Sequence, residues 1–187
     1  MVKIKVKHKF RYFIAFIFIL ILLIQIGLIS TEGMGVSAKT AIASKYKNET
    51  NVWRLKEIIG DINIDKERKL VFYENFDNET MVSYLKKNWI GMWKVIETNG
   101  EIPKKDKYKN ASLFGGKFND IYIYGGCIYK NEVCKVNLCG NEAKVVHEGQ
   151  RKFWYIANNE DVVKNDIELE LFNSNGNIIE LLKKDVK

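Results

Sequence analysis

Between Tyr12 and Ile29 this chain runs for eighteen residues without a charge. Lys3, Lys5, Lys7, Lys9 and Arg11 lead into the run, and only Gln25 interrupts its apolar character before Glu32. As a helix rising about 1.5 Å per residue, the run spans roughly 27 Å. That approaches the ~30 Å of a bilayer's hydrocarbon core. Such a segment reads as a transmembrane or signal helix with membrane contact through residues 12–29. All five basic residues lie on its N-terminal side, and no other appears until Lys39. The positive-inside tendency then leaves the N-terminus in the cytoplasm and carries the rest of the chain outside.

Cleavage of a signal peptide requires small residues shortly before the cut. Val36-Ser37-Ala38 supplies one such pattern before Lys39, and Ala41-Ile42-Ala43 supplies another before Ser44. The apolar run exceeds the usual 7–15 residue signal core, which favours an uncleaved single-pass anchor over a secreted product. No cysteine follows the run closely enough to carry a lipid anchor.

The targeting segment also explains the basic charge. The chain holds 30 basic and 23 acidic residues, a formal net of +7. Setting aside the five basic residues and Glu32 of residues 1–38 leaves 25 against 22, a net of +3. An exported part so nearly balanced carries no nucleic-acid footprint.

The organisation read from composition is a basic tail and helix over 1–29, a linker over 30–52, and an extracytoplasmic domain over 53–187. Residues 30–52 are small and polar, with Gly33 and Gly35, as linkers tend to be. Trp53–Ile59 suits either a short helix or an opening strand. From Leu70 the apolar residues alternate with a period of two, and aromatic and β-branched residues dominate. Leu70–Phe76, Thr80–Lys86 and Met92–Thr98 are predicted strands, and Asn99-Gly100 a turn. A lysine-rich connector over Glu101–Asn110, holding the only proline (Pro103), marks a candidate internal boundary near 99–111. Beyond it, strands are predicted over Asp120–Tyr129, Val133–Leu138, Glu142–His147, Lys152–Ala157 and Ile167–Leu171. The Asn173–Gly176 cluster before Asn177–Leu182 predicts a hairpin. The fold class expected is mainly β: an antiparallel sandwich or open barrel behind the N-terminal helix, in one domain or two small halves.

Leu85-Lys86-Lys87-Asn88-Trp89-Ile90-Gly91-Met92-Trp93-Lys94 resembles a segment of small exported or membrane-anchored proteins from low-GC Gram-positive bacteria. The run Ile128–Val133, then Val136, Ala143 and Phe153-Trp154-Tyr155, is similar to their C-terminal half. The likeness covers most of Leu70–Leu182. It implies a β fold and an envelope location, and it supplies no catalytic residues. The three cysteines depart from that pattern.

Cys127, Cys134 and Cys139 permit several arrangements in an oxidising compartment. A Cys127–Cys134 disulfide requires a two-residue turn at Lys130-Asn131 that sets the two opposite each other. The alternative leaves all three as reduced packing residues. Cys134 and Cys139 are five apart, so on one straight strand they face opposite sides. The Cys-x6-Cys-x4-Cys spacing lacks the close pairs of a structural zinc site. His147 is the sole histidine outside the targeting segment, and no spacing joins it to a thiol as a catalytic base. Asp61–Asp65 begins like a calcium loop, but Lys66 stands where the turn glycine belongs and Phe72 where the bidentate glutamate belongs. A polar turn is the simpler reading. Gly115-Gly116 and Gly125-Gly126 fit bends in strands better than phosphate loops. No catalytic set, cofactor or metal site is predicted.

With Ile121 and Ile123 in a core, Tyr122 and Tyr124 share the opposite face of their strand. They form either an aromatic strip that stacks on a cell-wall polymer or partner peptide, or the seal of a second packed layer. Three function classes follow. The leading one is a membrane-anchored, non-enzymatic module that binds or stabilises an envelope protein. A secreted binding or inhibitory protein and an envelope hydrolase built on scattered carboxylates are the alternatives.

Overall fold

The computed structural model describes residues 3–29, 33–102, 110–164 and 166–184. The chain is mainly β: two helices and thirteen strands, the strands all paired antiparallel in three sheets, among the described residues. Helix α1 covers Lys3–Ile29. Its side chains are described for residues 11–24, about 21 Å of helix. Among the described residues, no helix is long and apolar enough to cross a membrane.

Sheet A is built from β1 (Met34–Gly35), β2 (Leu55–Asn63), β3 (Arg68–Asn75), β4 (Thr80–Lys87) and β5 (Trp93–Ile102), in the order β1-β5-β4-β3-β2. Between β1 and β2 lies α2 (Ala38–Lys45). Sheet B contains β6 (Phe114–Phe118), β7 (Ile121–Ile128), β10 (Lys144–Glu148) and β11 (Arg151–Asn158), in the order β10-β11-β7-β6. Sheet C contains β8 (Lys135–Leu138), β9 (Asn141–Glu142), β12 (Ile167–Phe172) and β13 (Ile178–Lys184), in the order β13-β12-β8-β9.

Side-chain alternation stacks these elements in layers. Leu70, Phe72, Val82 and Tyr84 of sheet A meet Phe118, Ile121, Ile123 and Phe153 of sheet B in one core. The other face of sheet B gives Tyr124, Ile128 and Trp154 to a second core with Val136, Leu138, Leu169 and Leu171 of sheet C. A third core forms where Val71, Tyr73, Met81, Leu85 and Val95 meet Ala38, Ala41 and Ile42 of α2. The order of layers is therefore α2, sheet A, sheet B, sheet C. Sheets A and B share a core, so the two halves read from the sequence are joined in their packing. Residues 103–109, most of the predicted connector, lie outside the described residues.

The segment read as a linker is corrected by α2 and β1. Ser37 caps α2 through a reciprocal pair: the Thr40 N–H donates to Ser37 Oγ (3.2 Å), and the Ser37 N–H donates to Thr40 Oγ1 (3.0 Å). Ala38, Ala41 and Ile42 fall at i, i+3 and i+4, so the buried stripe faces the sheet. Met34 and Gly35 pair with Lys94 and Trp93. A Cβ on Gly35 would lie 2.3 Å from Thr40 Oγ1 and 2.4 Å from the Ala41 nitrogen, so only glycine allows this approach.

Two turn predictions are also revised. β5 continues through Asn99-Gly100 to Ile102, and the extra residue is absorbed as an irregularity opposite Thr80–Val82. Pairing with β4 satisfies the backbone there and overrides the local turn tendency. The last hairpin forms as predicted, but not as a two-residue Asn-Gly turn. The Gly176 N–H donates to the Asn173 carbonyl (3.1 Å), the Asn177 N–H donates to Asn173 Oδ1 (3.0 Å), and Gly176 takes φ +79°. Asn175 keeps a negative φ, and a bulge near Leu171/Phe172 takes up the longer loop. In the Asp61–Asp65 run, Asp61–Asn63 end β2 and Ile64-Asp65 enter the polar turn to β3. Asp65 Oδ1 accepts the Glu67 and Arg68 N–H groups (2.8 Å each), while Asp61 pairs with Lys69.

Candidate functional site

Tyr122 and Tyr124 do share a face of β7, and that face lies against sheet C. Tyr124 is 7% exposed and belongs to the second core, with Tyr122 packed beside it. The aromatic strip is therefore covered rather than offered to a polymer. The Tyr124 hydroxyl donates to Asp161 Oδ1 at 2.6 Å. Burial first, and then the Asp161 carboxylate, push its pKa well above the ordinary phenol value.

Of the two arrangements open for the cysteines, the possible Cys127–Cys134 disulfide is not formed: the three thiols are free. The bridge needed β7 and β8 to pair as neighbours. Instead β7 pairs with β6 and β11, and β8 pairs with β9 and β12. Cys127 points into the core between sheets A and B, where burial pushes its thiol up to about 11 despite the Ser112 hydroxyl. Cys134 is exposed at the edge of sheet C, where its N–H donates to the Phe172 carbonyl at 2.8 Å.

Cys139 occupies the first position of a two-residue turn joining β8 to β9. Leu138 pairs with Asn141 across it, and Cys139 and Gly140 take φ +49° and +77°. This is the geometry of a type I′ hairpin, which favours Asn-Gly because both central residues need positive φ. A cysteine in this conformation is strained. Contacts to β12 and its approach hold it: the Cys139 N–H donates to the Glu168 carbonyl (2.7 Å), and its thiol to the Asp166 carbonyl (3.4 Å).

Beside this turn opens a cleft of about 580 Å³, lined by Cys139, Asn141, Asn158, Glu160, Asp161, Val162, Lys164 and Asp166. Two of its polar groups, the Asp161 carboxylate and the Cys139 thiol, are held in hydrogen bonds within the protein. Asp161 Oδ1 accepts from Tyr124 and from the Val163 N–H (2.9 Å). The Cys139 thiol is bonded to backbone. His147 sits on β10 opposite Lys152, in another sheet, and supplies no base to this thiol. Among the described residues no three His, Cys, Asp or Glu side chains form a metal cluster. Glu160, Lys164 and Asp166 complete the charged lining of the cleft. Asp161 was not singled out from sequence, because only the fold brings it to Tyr124, 37 positions earlier.

The remaining feature without an internal role is α1. Tyr12, Phe13, Phe16, Phe18, Leu22 and Leu23 are each more than half exposed, and the intervening apolar residues are exposed too. Apolar side chains thus cover every side of the helix. A helix of that kind is stable when its whole circumference is taken out of water. Comparison with protein-family models, curated proteins and solved structures gives no match for this chain.

Proposed function

We propose that this chain is a membrane-anchored extracytoplasmic module, non-enzymatic, that binds or stabilises an envelope partner. The observation that carries the reading is α1: basic at its N-terminal end, apolar on all sides over residues 12–24, and joined to a folded β body. Burying that circumference in lipid removes the largest apolar surface the chain exposes. The basic flank orients the helix with its N-terminus in the cytoplasm. The partner is an envelope protein or a cell-wall polymer. The cleft beside Asp161 is one concave surface that could meet it.

Packing of α2 favours the anchor over a secreted product. Processing after Ala38 would remove β1 and a residue that is 4% exposed in the core; processing after Ala43 would also remove Ala41 and Ile42, both fully buried. The second cut takes away all three α2 residues, Ala38, Ala41 and Ile42, that share a core with Val71, Met81 and Leu85 of sheet A. An envelope hydrolase finds no support in the cleft, where the central carboxylate and the thiol are engaged in structural hydrogen bonds. Alkaline extraction of native membranes tests the tether. The chain is expected to stay in the membrane, and a variant lacking residues 12–29 to be released. Full release of the intact chain would overturn the proposal.

A further inference from the structure

The β4–β5 turn holds the most exposed aromatic side chain of the described residues: Trp89, at 93%. That exposure is built in. Asn88 Oδ1 accepts the N–H groups of Ile90 (3.1 Å) and Met92 (2.9 Å). The Asn88 N–H donates to the Met92 carbonyl (2.8 Å), and the Gly91 N–H to the Asn88 carbonyl (3.0 Å). Five residues are thereby closed into a tight loop with the indole standing outward. Met92 is buried and Ile90 half-buried beneath it.

The neighbours of this turn share one chemistry. β1 runs antiparallel to β5, with Met34 opposite Lys94 and Gly35 opposite Trp93. Continuing that register brings Val36, 65% exposed, beside the turn. Lys86, Lys87 and Lys94 flank it, and Lys87 lies over the Trp93 ring at 4.9 Å. Of the acidic groups near this end of sheet A, Asp61 is paired with Lys69 and Asp65 with Arg68, while Asp120 of the adjoining sheet B is paired with Lys86. The combination is an outward indole, an exposed valine and a lysine fringe. It matches the water–lipid boundary, where amphipathic rings settle and cations meet anionic headgroups.

Chain connectivity puts that boundary within reach. Four residues separate the last residue of α1, Ile29, from Met34, which pairs directly with the strand leaving the turn. Five peptide steps span at most about 18 Å. We infer that the β4–β5 turn is a second membrane contact, with Trp89 inserted among the headgroups and Lys87 and Lys94 facing anionic lipid. The inference rests on the anchored reading of α1. It would hold the β body close to the bilayer instead of letting it swing on its tether.

The test uses the full chain in vesicles of phosphatidylcholine and phosphatidylglycerol carrying bromine on shallow acyl carbons. Trp154 and Trp93 are buried and Trp53 is stacked on Tyr46, so the difference between the native chain and Trp89→Phe isolates Trp89. Bromine quenching of tryptophan emission is expected in the native chain, mostly lost in Trp89→Phe, and weakened when phosphatidylglycerol is omitted. Equal quenching in both chains would overturn the inference. So would a native chain that remains unquenched while alkaline extraction shows α1 inserted, as expected if the turn meets a protein partner instead. Quenching unchanged without phosphatidylglycerol would overturn the role of the lysines. A chain that extraction releases would instead overturn the anchored reading itself.

Discussion

Sheet B and sheet C solve the same problem under different constraints. Every strand of sheet B's centre must serve two cores. On β7, Ile121, Ile123 and Cys127 face sheet A, while Tyr122, Tyr124 and Ile128 face sheet C. On β11, Phe153 and Tyr155 face one way and Trp154 the other. Sheet C has only one covered face, so β12 sends Leu169 and Leu171 inward and Glu168 and Glu170 outward. The consequence is a gradient of tolerance. A change in β7 or β11 is felt on either face, whereas sheet C absorbs change on its outer side.

The largest expected effect sharpens that contrast. Trp154 is fully buried, and its indole N–H donates to the Ser112 carbonyl at 3.0 Å. Trp154→Ala is expected to cost about 3–5 kcal/mol in urea unfolding. Leu181→Ala, at a position 45% exposed on β13, is expected to stay within about 0.5 kcal/mol. Comparable losses from the two would break the distinction between the sheets.

A pH series probes the same contrast through the cysteines. The buried Cys127 thiol has its pKa raised from 9.0 to about 11. A raised folded-state pKa means stability is fully present below pH 9 and declines as pH rises toward 11. Two units correspond to about 2–3 kcal/mol. Tyr73 and Tyr124, raised by burial, add to the loss at the alkaline end, so the informative quantity is the difference from Cys127→Ala. That variant is expected to show a shallower decline between pH 9 and 11, and Cys134→Ala the native profile. Identical slopes in all three would place Cys127 outside the core.

The smallest effect concerns the strained turn of sheet C. Cys139→Asn puts the preferred residue at φ +49° and is expected to raise stability by about 0.5–1 kcal/mol. A loss of similar size in thermal unfolding would show that the thiol's bond to the Asp166 carbonyl outweighs the strain.

The same contrast explains what could be read from the residues alone. Ile167–Leu171 announced its strand because one face is wet and the alternation is clean. β3, β4 and β7 were legible as strands, but not the fact that two cores enclose them, since an unbroken apolar run carries no face. β6 was legible only as a bend in a strand at Gly115-Gly116, without bounds, because two adjacent glycines leave it little strand character. α2 was missed because seven of its eight residues are Ala, Lys, Thr or Ser, with Ile42 alone strongly apolar, and look like a linker; the available signal was Ser37 followed three residues later by Thr40. The choice between a Cys127–Cys134 disulfide and free thiols turned on topology, which the spacing left open. Adjacent strands in sequence need not pair, and β8 finds its partner in β12, some thirty positions further on. For the same reason the contact of Tyr124 with Asp161 had no local signature.

The most direct test is the N-terminal peptide of the native protein, by mass spectrometry of membrane and medium fractions. Peptides from residues 12–29 joined to the β body in the membrane fraction are expected, since β1 and α2 complete the core of sheet A. A mature chain beginning at Lys39 or Ser44 and free in the medium would contradict both the tether and the structural role assigned to α2.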